Sequence, residues 1–272
     1  MKLIAVGDNV ADCYIDEKVF YPGGNAVNVA VNCKKNGADF VSYIGIFGDD
    51  DKAAWIQHCL ELEGVDFSRS RKVYAHSGQP QVCLEKGDRV FRPGKRDSCQ
   101  HLFRICLTQE DMDLIKKYDL CHTSCYSNIE YELPTLAKLC QVSFDFSDNF
   151  QPDYLEKVCP YLTYGFFSGS HLDLHQCQDL LKHAFTLGTK ISGVTMGAKG
   201  ALFYDGKDFY SQPVIKVEAI DTMGAGDSFI AGFLTKYTDS KNMQDSLTYA
   251  AQKAALTCTI HGGFGHPHPL KD

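Results

Sequence analysis

The chain has 272 residues, of which 44% are hydrophobic and 22% are charged, and these proportions are typical of a globular protein. This length fits a single large α/β domain, which buries enough surface to fold without disulfide bonds. The net charge of -7 argues against a nucleic-acid partner, because binding to a phosphate backbone requires a basic surface. No apolar stretch is long enough to span a membrane and no secretion signal opens the chain, so we expect a cytoplasmic protein with no membrane partner.

The twelve cysteines are scattered along the chain and include no Cys-x-x-Cys pair. In a cytoplasmic protein such residues are reduced thiols that pack mostly as small core side chains. The segment from Cys121 to Cys125 also contains His122, but it lacks a second ligand pair at a suitable spacing. We therefore do not expect a zinc site there.

A buried strand is predicted over residues 2–7, and the polar residues Asp8, Asn9 and Asp12 follow it closely. Polar side chains placed so soon after a buried strand suit a polar ligand, such as the hydroxyls of a sugar. Asp and Asn are equally the residues of solvated turns, and the pattern alone favours the turn.

Gly23 and Gly24 predict a tight turn, and a helix is predicted to begin at Asn25. Asn25 and Asn28 are three residues apart and therefore share one face of that helix. An asparagine side chain both donates and accepts hydrogen bonds, which suits a polyol ligand. In the alternative interpretation, Asn25 is only the N-cap of the helix.

A strand over 40–47 is followed by three aspartates and a predicted helix over 52–63. We interpret the aspartates as favourable charge at a helix N-terminus rather than as a metal site. Residues 81–92 are typical of a β-hairpin with a Gly-Asp turn. Arg89 and Arg92 lie on this hairpin, where they either meet an anionic group of a substrate or remain solvated, and the pattern favours solvation.

Predicted strands and helices alternate through the rest of the chain. Alternation of this kind predicts an α/β fold, with a parallel sheet covered by helices on both faces, and ligands bind beyond the carboxyl ends of its strands. The segment 261–269 contains three histidines, and we predict a mobile terminus there rather than a metal site. The predicted strands are 118–123, 141–146, 161–168, 190–195, 201–205 and 208–211, and the predicted helices are 109–117, 131–139, 152–158, 173–187, 227–237 and 243–260.

The stretch from Asp221 to Leu234 begins with a glycine-rich turn and continues as an apolar segment that favours a helix. Gly224 and Gly226 allow a sharp bend, so that the first amides of the helix face a ligand. Such amides, at the positive end of the helix dipole, hold a phosphate or a developing oxyanion. Asp227 in the same turn is either a base beside that anion site or an N-terminal cap of the helix.

Residues 221–229, Asp-Thr-Met-Gly-Ala-Gly-Asp-Ser-Phe, resemble the C-terminal signature of the ribokinase-like (PfkB) carbohydrate kinases. Residues 21–30 are similar to the N-terminal signature of the same family. The resemblance extends from Gly7 to about Gly263, and two signatures in the right order make it specific. The full combination of motifs is most similar to the fructoselysine kinases within that family.

The resemblance implies a single kinase domain over residues 1–272 with a ribokinase-like fold. That fold is a three-layer α/β/α sandwich with a mostly parallel central sheet and a small β-sheet lid, formed by about 11–20 and about 73–97. The family uses ATP and Mg²⁺, and often a K⁺-like ion near the residue that matches Asp221. Its members often pair through their lids, so the resemblance implies a homodimer of that kind.

The resemblance also implies roles for individual residues. Asp227 is the base that accepts the hydroxyl proton, and the turn around it that stabilises the phosphoryl group consists of Gly224, Ala225 and Gly226. Taken together with the pattern, the substrate-binding residues are Asp8, Asn9, Asp12, Gly23, Gly24, Asn25, Asn28, Arg89 and Arg92. The nucleotide-binding residues are Thr195, Gly197, Lys199, Gly200, Asp145 and Ser168.

Two family motifs are not fully kept in this sequence. Ser168 and His171 stand where many relatives have the Asn and Glu of an NxxE motif, which leaves open how Mg²⁺ is held. Asp145 is kept from an Asp-x-Asn-x-Arg pattern but the arginine is not, so one phosphate contact is in doubt. Both departures are similar to those of the fructoselysine kinases.

These features predict an ATP-dependent kinase that phosphorylates a primary hydroxyl of a sugar, with fructoselysine as the narrower prediction. No GxxxxGK[ST] motif is present, so the phosphates have to be held by turn amides and Mg²⁺. The alternatives are a fructokinase or ribokinase of the same family, and a non-catalytic sensor of sugar or nucleotide. Asp227 argues against the sensor, because sensing requires no base.

Overall fold

The computed structural model describes residues 1–85, 88–92 and 96–270, without the side chains of 84–85 and 88–91. The strands are β1 (Lys2–Gly7), β2 (Val10–Tyr14), β3 (Val19–Gly23), β4 (Phe40–Phe47), β5 (Arg71–Lys72), β6 (Gln81–Glu85), β7 (Asp88–Arg92), β8 (Leu120–Ser124), β9 (Gln141–Asp145), β10 (Tyr164–Ser168), β11 (Ile191–Thr195), β12 (Ala201–Tyr204), β13 (Phe209–Gln212) and β14 (His268–Pro269). The helices are α1 (Asn25–Lys35), α2 (Asp51–Leu62), α3 (Cys99–Leu102), α4 (Gln109–Ile115), α5 (Leu133–Leu139), α6 (Pro152–Val158), α7 (Leu174–Thr186), α8 (Ala225–Ser240) and α9 (Met243–Thr257).

The predicted alternation of strands and helices is confirmed, with element ends shifted by a few residues. The hairpin over 81–92 is present as β6 and β7, although the residues 86–87 between them lie outside the described residues. The aspartates before α2 act at its N-terminus as predicted, because the Asp50 side chain accepts a hydrogen bond from the Ala53 amide at 2.9 Å. The short helix α3 and the short strand β5 were not predicted.

The described strands form two sheets. The central sheet has nine strands in the order β13-β12-β11-β10-β9-β8-β1-β4-β5. Adjacent strands from β11 to β5 are parallel, whereas β12 and β13 extend one edge of the sheet with antiparallel pairing. Parallel neighbours cannot be joined by a tight hairpin, so helical crossovers connect most of these strands.

Helices cover both faces of the central sheet, as the strand alternation predicts. Leu3 and Ala5 of β1 pack with residues of α1, α2, α8 and α9 on one face, while Ile4 and Val6 pack with residues of α4 to α7 on the other. All four side chains are fully buried. Burial of a leucine or isoleucine side chain stabilises the fold by about 1.5–3 kcal/mol. Because helices pack on both faces, the central sheet is the middle layer of a three-layer α/β/α arrangement.

A smaller sheet of five strands, in the order β14-β3-β2-β6-β7, is separate from the central sheet. It contains residues 10–14 and 19–23, and also 81–85 and 88–92, which overlap the two segments expected to form a lid. Only Asp8 and Asn9 separate the end of β1 from the start of β2. The small sheet is therefore placed at the carboxyl end of β1.

The prediction of a mobile C-terminal segment is wrong. Gly262, Gly263 and Phe264 are buried, and β14 pairs with β3 in the small sheet. The Gly262 amide donates to the Asp221 carboxylate at 2.9 Å. A ring nitrogen of His266 lies 2.7 Å from a carboxylate oxygen of Glu63. Contacts to distant parts of the chain hold the segment in place. The local sequence does not reveal such contacts, so it could not predict them.

The cysteines are reduced thiols, as the sequence predicts. All twelve cysteines are free thiols, and most of them are buried. Within the described ranges, no group of three or more His, Cys, Asp or Glu side chains is arranged to hold a metal ion. A search of the same residues finds no helix long and apolar enough to cross a membrane.

Candidate active site

A cleft of about 810 Å³ lies beyond the carboxyl ends of the central strands, with residues of the small sheet along one side. We call it the main cleft. Its walls bring together residues from widely separated parts of the chain. Among the predicted site residues, those that line it are Asp8, Asp12, Gly24, Asn25, Asn28, Arg92, Asp145, Ser168, Gly224, Gly226 and Asp227.

Asp8 sets the start of α1 at the floor of the main cleft. Gly24 precedes the helix with φ 105°, and a Cβ at this position would lie 2.8 Å from the Asp8 carbonyl oxygen. Oδ2 of Asp8 accepts a hydrogen bond from the Asn25 backbone amide at 2.7 Å, and Oδ1 accepts from the hydroxyls of Ser124 and Ser127 at 3.2 Å. The Asp8 carboxylate therefore positions the helix that carries the two asparagines, in addition to lining the cleft.

Helix α8 begins at the opposite wall with an open N-terminus. Gly224 precedes it in the left-handed region (φ 70°, ψ 2°), and a Cβ there would lie 2.5 Å from the Cα of Gly263. The Gly226 amide has no acceptor within the described residues, and a Cβ on Gly226 would meet no atom within 4 Å. Open space before a helix N-terminus suits an anion such as a phosphoryl group. The Ala225 amide donates to the Thr222 carbonyl at 3.3 Å, and its contact with a phosphoryl group stays a prediction.

The side chain of Asn25 connects the two walls of the main cleft. Its Nδ2 donates one hydrogen bond to Asp145 at 2.8 Å and another to Oδ1 of Asp227 at 2.7 Å. Nδ2 of Asn28 donates to the other oxygen of Asp227 at 2.7 Å. Both oxygens of Asp227 are thus held by side chains of α1, which fixes the plane of the carboxylate. The alternative role of Asn25 as an N-cap is wrong, because the N-cap position is occupied by Gly24.

Beneath Asn25 lies His122, a fully buried residue of β8 that the sequence did not single out as part of this site. Nε2 of His122 is 3.0 Å from Oδ1 of Asn25, and Nδ1 is 2.9 Å from the Ser143 hydroxyl. Burial lowers the pKa of His122 to about 3, so the ring is neutral at pH 7 and carries one proton. Because an amide oxygen only accepts hydrogen bonds, that proton is on Nε2, and the Ser143 hydroxyl donates to Nδ1.

Asp145 is a buried carboxylate at the end of β9. Its burial, with a smaller contribution from the nearby charge of Asp227, raises the pKa of Asp145 to about 7. The Ser147 amide donates to its Oδ1 at 2.8 Å, and Asn25 donates to its Oδ2. Two carboxylates that share one amide group therefore differ in environment, since Asp227 is only partly buried.

Asn9 is predicted to bind substrate, but it does not line the main cleft, and its role stays a prediction. Its Nδ2 donates to the Tyr43 hydroxyl at 2.8 Å and to the Ile46 carbonyl at 2.9 Å, so the fully buried side chain is directed toward β4. Gly23 also does not line the cleft, but a Cβ there would lie 2.0 Å from a carboxylate oxygen of Asp12. The absence of a side chain at Gly23 therefore allows the Asp12 carboxylate to lie against β3.

The predicted nucleotide-binding residues separate into two groups. Asp145 and Ser168 line the main cleft, whereas Thr195, Gly197, Lys199 and Gly200 follow β11 and do not line it. The exposed Lys199 donates from Nζ to the backbone carbonyls of residues 170 and 172, at 3.2 and 3.3 Å. The roles of this second group in binding a nucleotide remain predictions.

The residues that depart from the family motifs are also divided. Ser168 lines the main cleft, but the exposed His171 stacks on the ring of Phe150 with 5.9 Å between ring centroids. His171 is therefore engaged in packing at the surface. The side chain of Arg89 lies outside the described residues, while Arg92 is exposed at the edge of the cleft.

Several lining residues were not predicted from the sequence. Tyr126 and Ser147 both line the cleft, and the Tyr126 hydroxyl donates a hydrogen bond to Ser147 Oγ at 2.8 Å. Ser147 has a φ of 52°, which is uncommon for a residue with a side chain. No sequence pattern marks this backbone conformation. Arg96, Gln100 and His101 also line the cleft and were not predicted.

The cleft fits Mg²⁺ only as an ion held largely by phosphates and water. Mg²⁺ retains several waters and needs few protein ligands, and Asp145 and Asp227 are the carboxylates beside the α8 N-terminus. Asp221, where a K⁺-like ion is predicted, is fully buried and accepts hydrogen bonds from the Tyr14 hydroxyl and from the amides of Met223 and Gly262. The monovalent ion therefore remains a prediction.

Comparison with known proteins agrees with this geometry. The model of the pfkB family carbohydrate kinases matches residues 1–267. The chain is 46% identical over 272 residues to the fructosamine kinase FrlD of Bacillus subtilis (strain 168), covering 100% of this chain and 95% of that protein. It is 33% identical over 267 residues to the fructoselysine 6-kinase of Escherichia coli (strain K12), covering 97% and 100%.

Solved structures show the same fold at lower sequence identity. The ribokinase of Arabidopsis thaliana, solved with ribose and ATP, superposes with a TM-score of 0.81 and 18% identity, over 96% of this chain and 93% of that chain. The predicted ribokinase-like fold is thereby confirmed. The family match over nearly the whole chain and the two relatives above 30% identity lead to one conclusion: this chain belongs to the pfkB family of carbohydrate kinases.

Proposed function

We propose that this chain is an ATP-dependent kinase that transfers the γ-phosphoryl group of ATP to the 6-hydroxyl of fructoselysine or a closely similar fructosamine. One observation carries the proposal most directly. The Asp227 carboxylate is held by Asn25 and Asn28 beside the open N-terminus of α8, within a cleft lined by hydrogen-bonding side chains.

The chemistry assigned to this arrangement is a single phosphoryl transfer. The substrate hydroxyl oxygen bonds to the γ-phosphorus as the bond between that phosphorus and the β,γ-bridging oxygen breaks, which releases ADP. The hydroxyl proton passes to Asp227, whose two hydrogen bonds to α1 keep its oxygens in a fixed orientation. The amide of Gly226 and the dipole of α8 stabilise negative charge on the transferring group.

Mg²⁺, when bound, would neutralise charge on the phosphates, with Asp145 and Asp227 as the nearest carboxylates. We assign the nucleotide to the side of the cleft formed by Ser168 and the turn after β11. Two relatives of the fold support ATP as donor, since their structures contain ATP or ATP with Mg²⁺. We further propose that the small sheet closes over the sugar as a lid, and that pairing of two copies occurs through it.

The narrower choice of substrate is supported by the two relatives at 46% and 33% identity, which are named as kinases of fructosamine and of fructoselysine. Four carboxylates, Asp8, Asp12, Asp145 and Asp227, line the cleft and accept hydrogen bonds from a polyol. They suit a neutral or cationic acceptor better than an anionic one. Fructoselysine carries a secondary amine next to its sugar and meets this requirement.

A kinase assay on four acceptors tests the proposal. We expect a much higher kcat/KM for fructoselysine than for fructose, ribose or adenosine. Equal or better use of fructose or ribose would reject the assignment to fructosamines while keeping sugar kinase activity. Absence of phosphorylation of all four acceptors, with ATP and Mg²⁺ supplied, would favour the non-catalytic sensor.

A further inference from the structure

A second cavity of about 370 Å³ opens beside the main cleft, and we call it the side cavity. Four residues line both spaces, so the two adjoin, and we call this shared border the passage; it consists of Arg96, Gln100, His101 and Tyr126. Beyond the passage the side cavity is lined by Cys125, Asn128 and Glu130. These residues follow β8 or lie on the segment leading into and through α3, and Asp227 does not line the side cavity.

The side cavity contains one cationic and one anionic group that do not neutralise each other. Arg96 is exposed and has no ion pair or hydrogen bond within the described residues. Glu130 is partly buried, and its Oε1 accepts a hydrogen bond from the Tyr154 hydroxyl at 2.7 Å. An arginine with no partner among the described residues and a glutamate fixed by a hydrogen bond line the same cavity, and this arrangement matches a zwitterion, because each charge of the ligand meets its opposite.

The walls around these charges are anchored to the fold. Nε2 of Gln100 donates to the carbonyl oxygens of Asn9 at 2.8 Å and Ile46 at 3.0 Å. Ile129, directly before Glu130, is fully buried. The exposed ring of Tyr126 is fixed at its hydroxyl by Ser147 and offers an apolar surface along the passage.

The chemistry of the proposed substrate determines which part of it can reach the side cavity. In fructoselysine the 6-hydroxyl and the C1 carbon that carries the lysine are at opposite ends of the hexose. With the 6-hydroxyl at Asp227, C1 must therefore be directed away from α8. The lysine then extends through four methylene groups to a free α-ammonium and an α-carboxylate.

We propose that the side cavity is a subsite for the amino-acid end of the substrate, with Arg96 binding the α-carboxylate and Glu130 binding the α-ammonium. The methylene chain passes along the Tyr126 ring. This inference rests on the proposed function, and it adds the position and the charge requirements of the group that distinguishes a fructosamine from a plain sugar.

Three acceptors separate the two charges in a steady-state assay. The first is fructoselysine; the second is its decarboxylated analogue, fructose linked at C1 to 1,5-diaminopentane; the third lacks the α-amine and is fructose linked at C1 to 6-aminohexanoate. The proteins compared are wild type, Arg96→Gln, Glu130→Gln and the matched control Arg104→Gln. Arg104 is an exposed arginine that stacks on the Tyr131 ring at 4.4 Å and lines neither cavity.

We expect Arg96→Gln to lower kcat/KM about tenfold or more for the two acceptors with a carboxylate, and less than about twofold for the decarboxylated one. Glu130→Gln, which keeps an oxygen for Tyr154, should lower kcat/KM by a similar factor only for the two acceptors with a terminal amine. Arg104→Gln should change none of the three values. Thermal unfolding of each variant establishes that these differences arise in folded protein.

An equal loss on all three acceptors would overturn the subsite, because it would place Arg96 or Glu130 at the phosphoryl group or in the fold. No loss on any acceptor would overturn it as well. Both results presuppose a wild-type enzyme that phosphorylates fructosamines. A wild type that phosphorylates fructose or ribose but none of the three acceptors refutes the proposed function itself, and the subsite with it.

Discussion

The two ends of the main cleft, which we assign to the acceptor and to the donor, are built differently. Side chains form the first end, and backbone amides form the second. At the acceptor end, side chains from α1, β8, β9 and α8 bond to one another, with Asn25 at the centre and Asp227 held at both oxygens. At the proposed donor end, the Gly226 amide has no acceptor within the described residues, and a Cβ on Gly226 would meet no atom within 4 Å.

Because of this difference, we expect the two ends to tolerate different sequence changes. Backbone amides do not depend on the identity of their side chains, so we expect the proposed donor end to offer an anion site at α8 even without the NxxE motif. The acceptor end depends on each side chain, because removal of one partner leaves buried donors or acceptors unsatisfied. Substitutions should therefore affect the two ends in different ways.

Replacement of Asp227 by Asn should have the largest effect. The variant keeps the shape of the side chain but cannot accept the hydroxyl proton, so we expect kcat to fall by about 10²–10⁴-fold. Circular dichroism and thermal unfolding should show a folded protein. If the variant retained more than a tenth of the wild-type kcat, the assignment of Asp227 as the base would be wrong.

Gly226→Ala tests the proposed donor end, because it adds a methyl group to the space before α8 and removes no side chain. The added methyl group occupies the open space before α8 and should displace the phosphoryl group, which lowers kcat/KM for ATP by about tenfold or more. Stability should be unchanged or higher by up to about 1 kcal/mol, because alanine favours a helix more than glycine does.

Gly232→Ala is the matched control on the same helix. A Cβ at this position would lie 2.9 Å from the Ala250 Cα, so we expect loss of stability by about 1–3 kcal/mol with little change in kcat. Urea unfolding and steady-state kinetics measure both properties. Loss of turnover in the control but not in Gly226→Ala would contradict the donor site at α8.

The stability of the acceptor end should depend on pH through Asp145. Its pKa is raised by burial from 3.8 to about 7 in the folded protein, so between these values the folded state binds more protons than the unfolded state. Protonated Asp145 therefore favours the folded state at low pH, and this contribution to stability is lost as pH rises toward 7. We expect wild type to lose stability relative to Asp145→Asn over this range, by an amount on the order of a few kcal/mol.

Urea unfolding of both proteins from pH 4.5 to pH 8 measures this effect, and the comparison cancels the titration of other groups. The difference between the two free energies of unfolding should level off above about pH 7. A difference that grew in favour of wild type as pH rose would show that the folded protein prefers the ionised carboxylate.

Lys199→Gln should have the smallest effect. The side chain is exposed, and its hydrogen bonds to residues 170 and 172 are local. We expect KM for ATP to change by less than about threefold, with kcat unchanged. An increase in KM of tenfold or more would show that the lysine leaves these carbonyls to bind a phosphate.

Local sequence determined a large part of this protein. The order of strands and helices followed from hydrophobic patterns, and the start of α8 followed from glycines and an aspartate within one turn. Features of this kind depend on preferences of neighbouring residues, which a sequence records directly. The same local evidence placed Asn25 and Asn28 on one face of α1, where both contact Asp227.

Only the tertiary structure decided which groups surround those residues. Asn25, His122 and Asp227 are separated by about a hundred residues each, and β8 and α8 bring them together through packing of the whole sheet. The C-terminal segment was misjudged for the same reason, since a buried Asp221 holds it from 41 positions away. The side cavity likewise exists because α3 and the turn after β8 meet, and contacts between distant segments are set by the energy of the assembled core rather than by any short pattern.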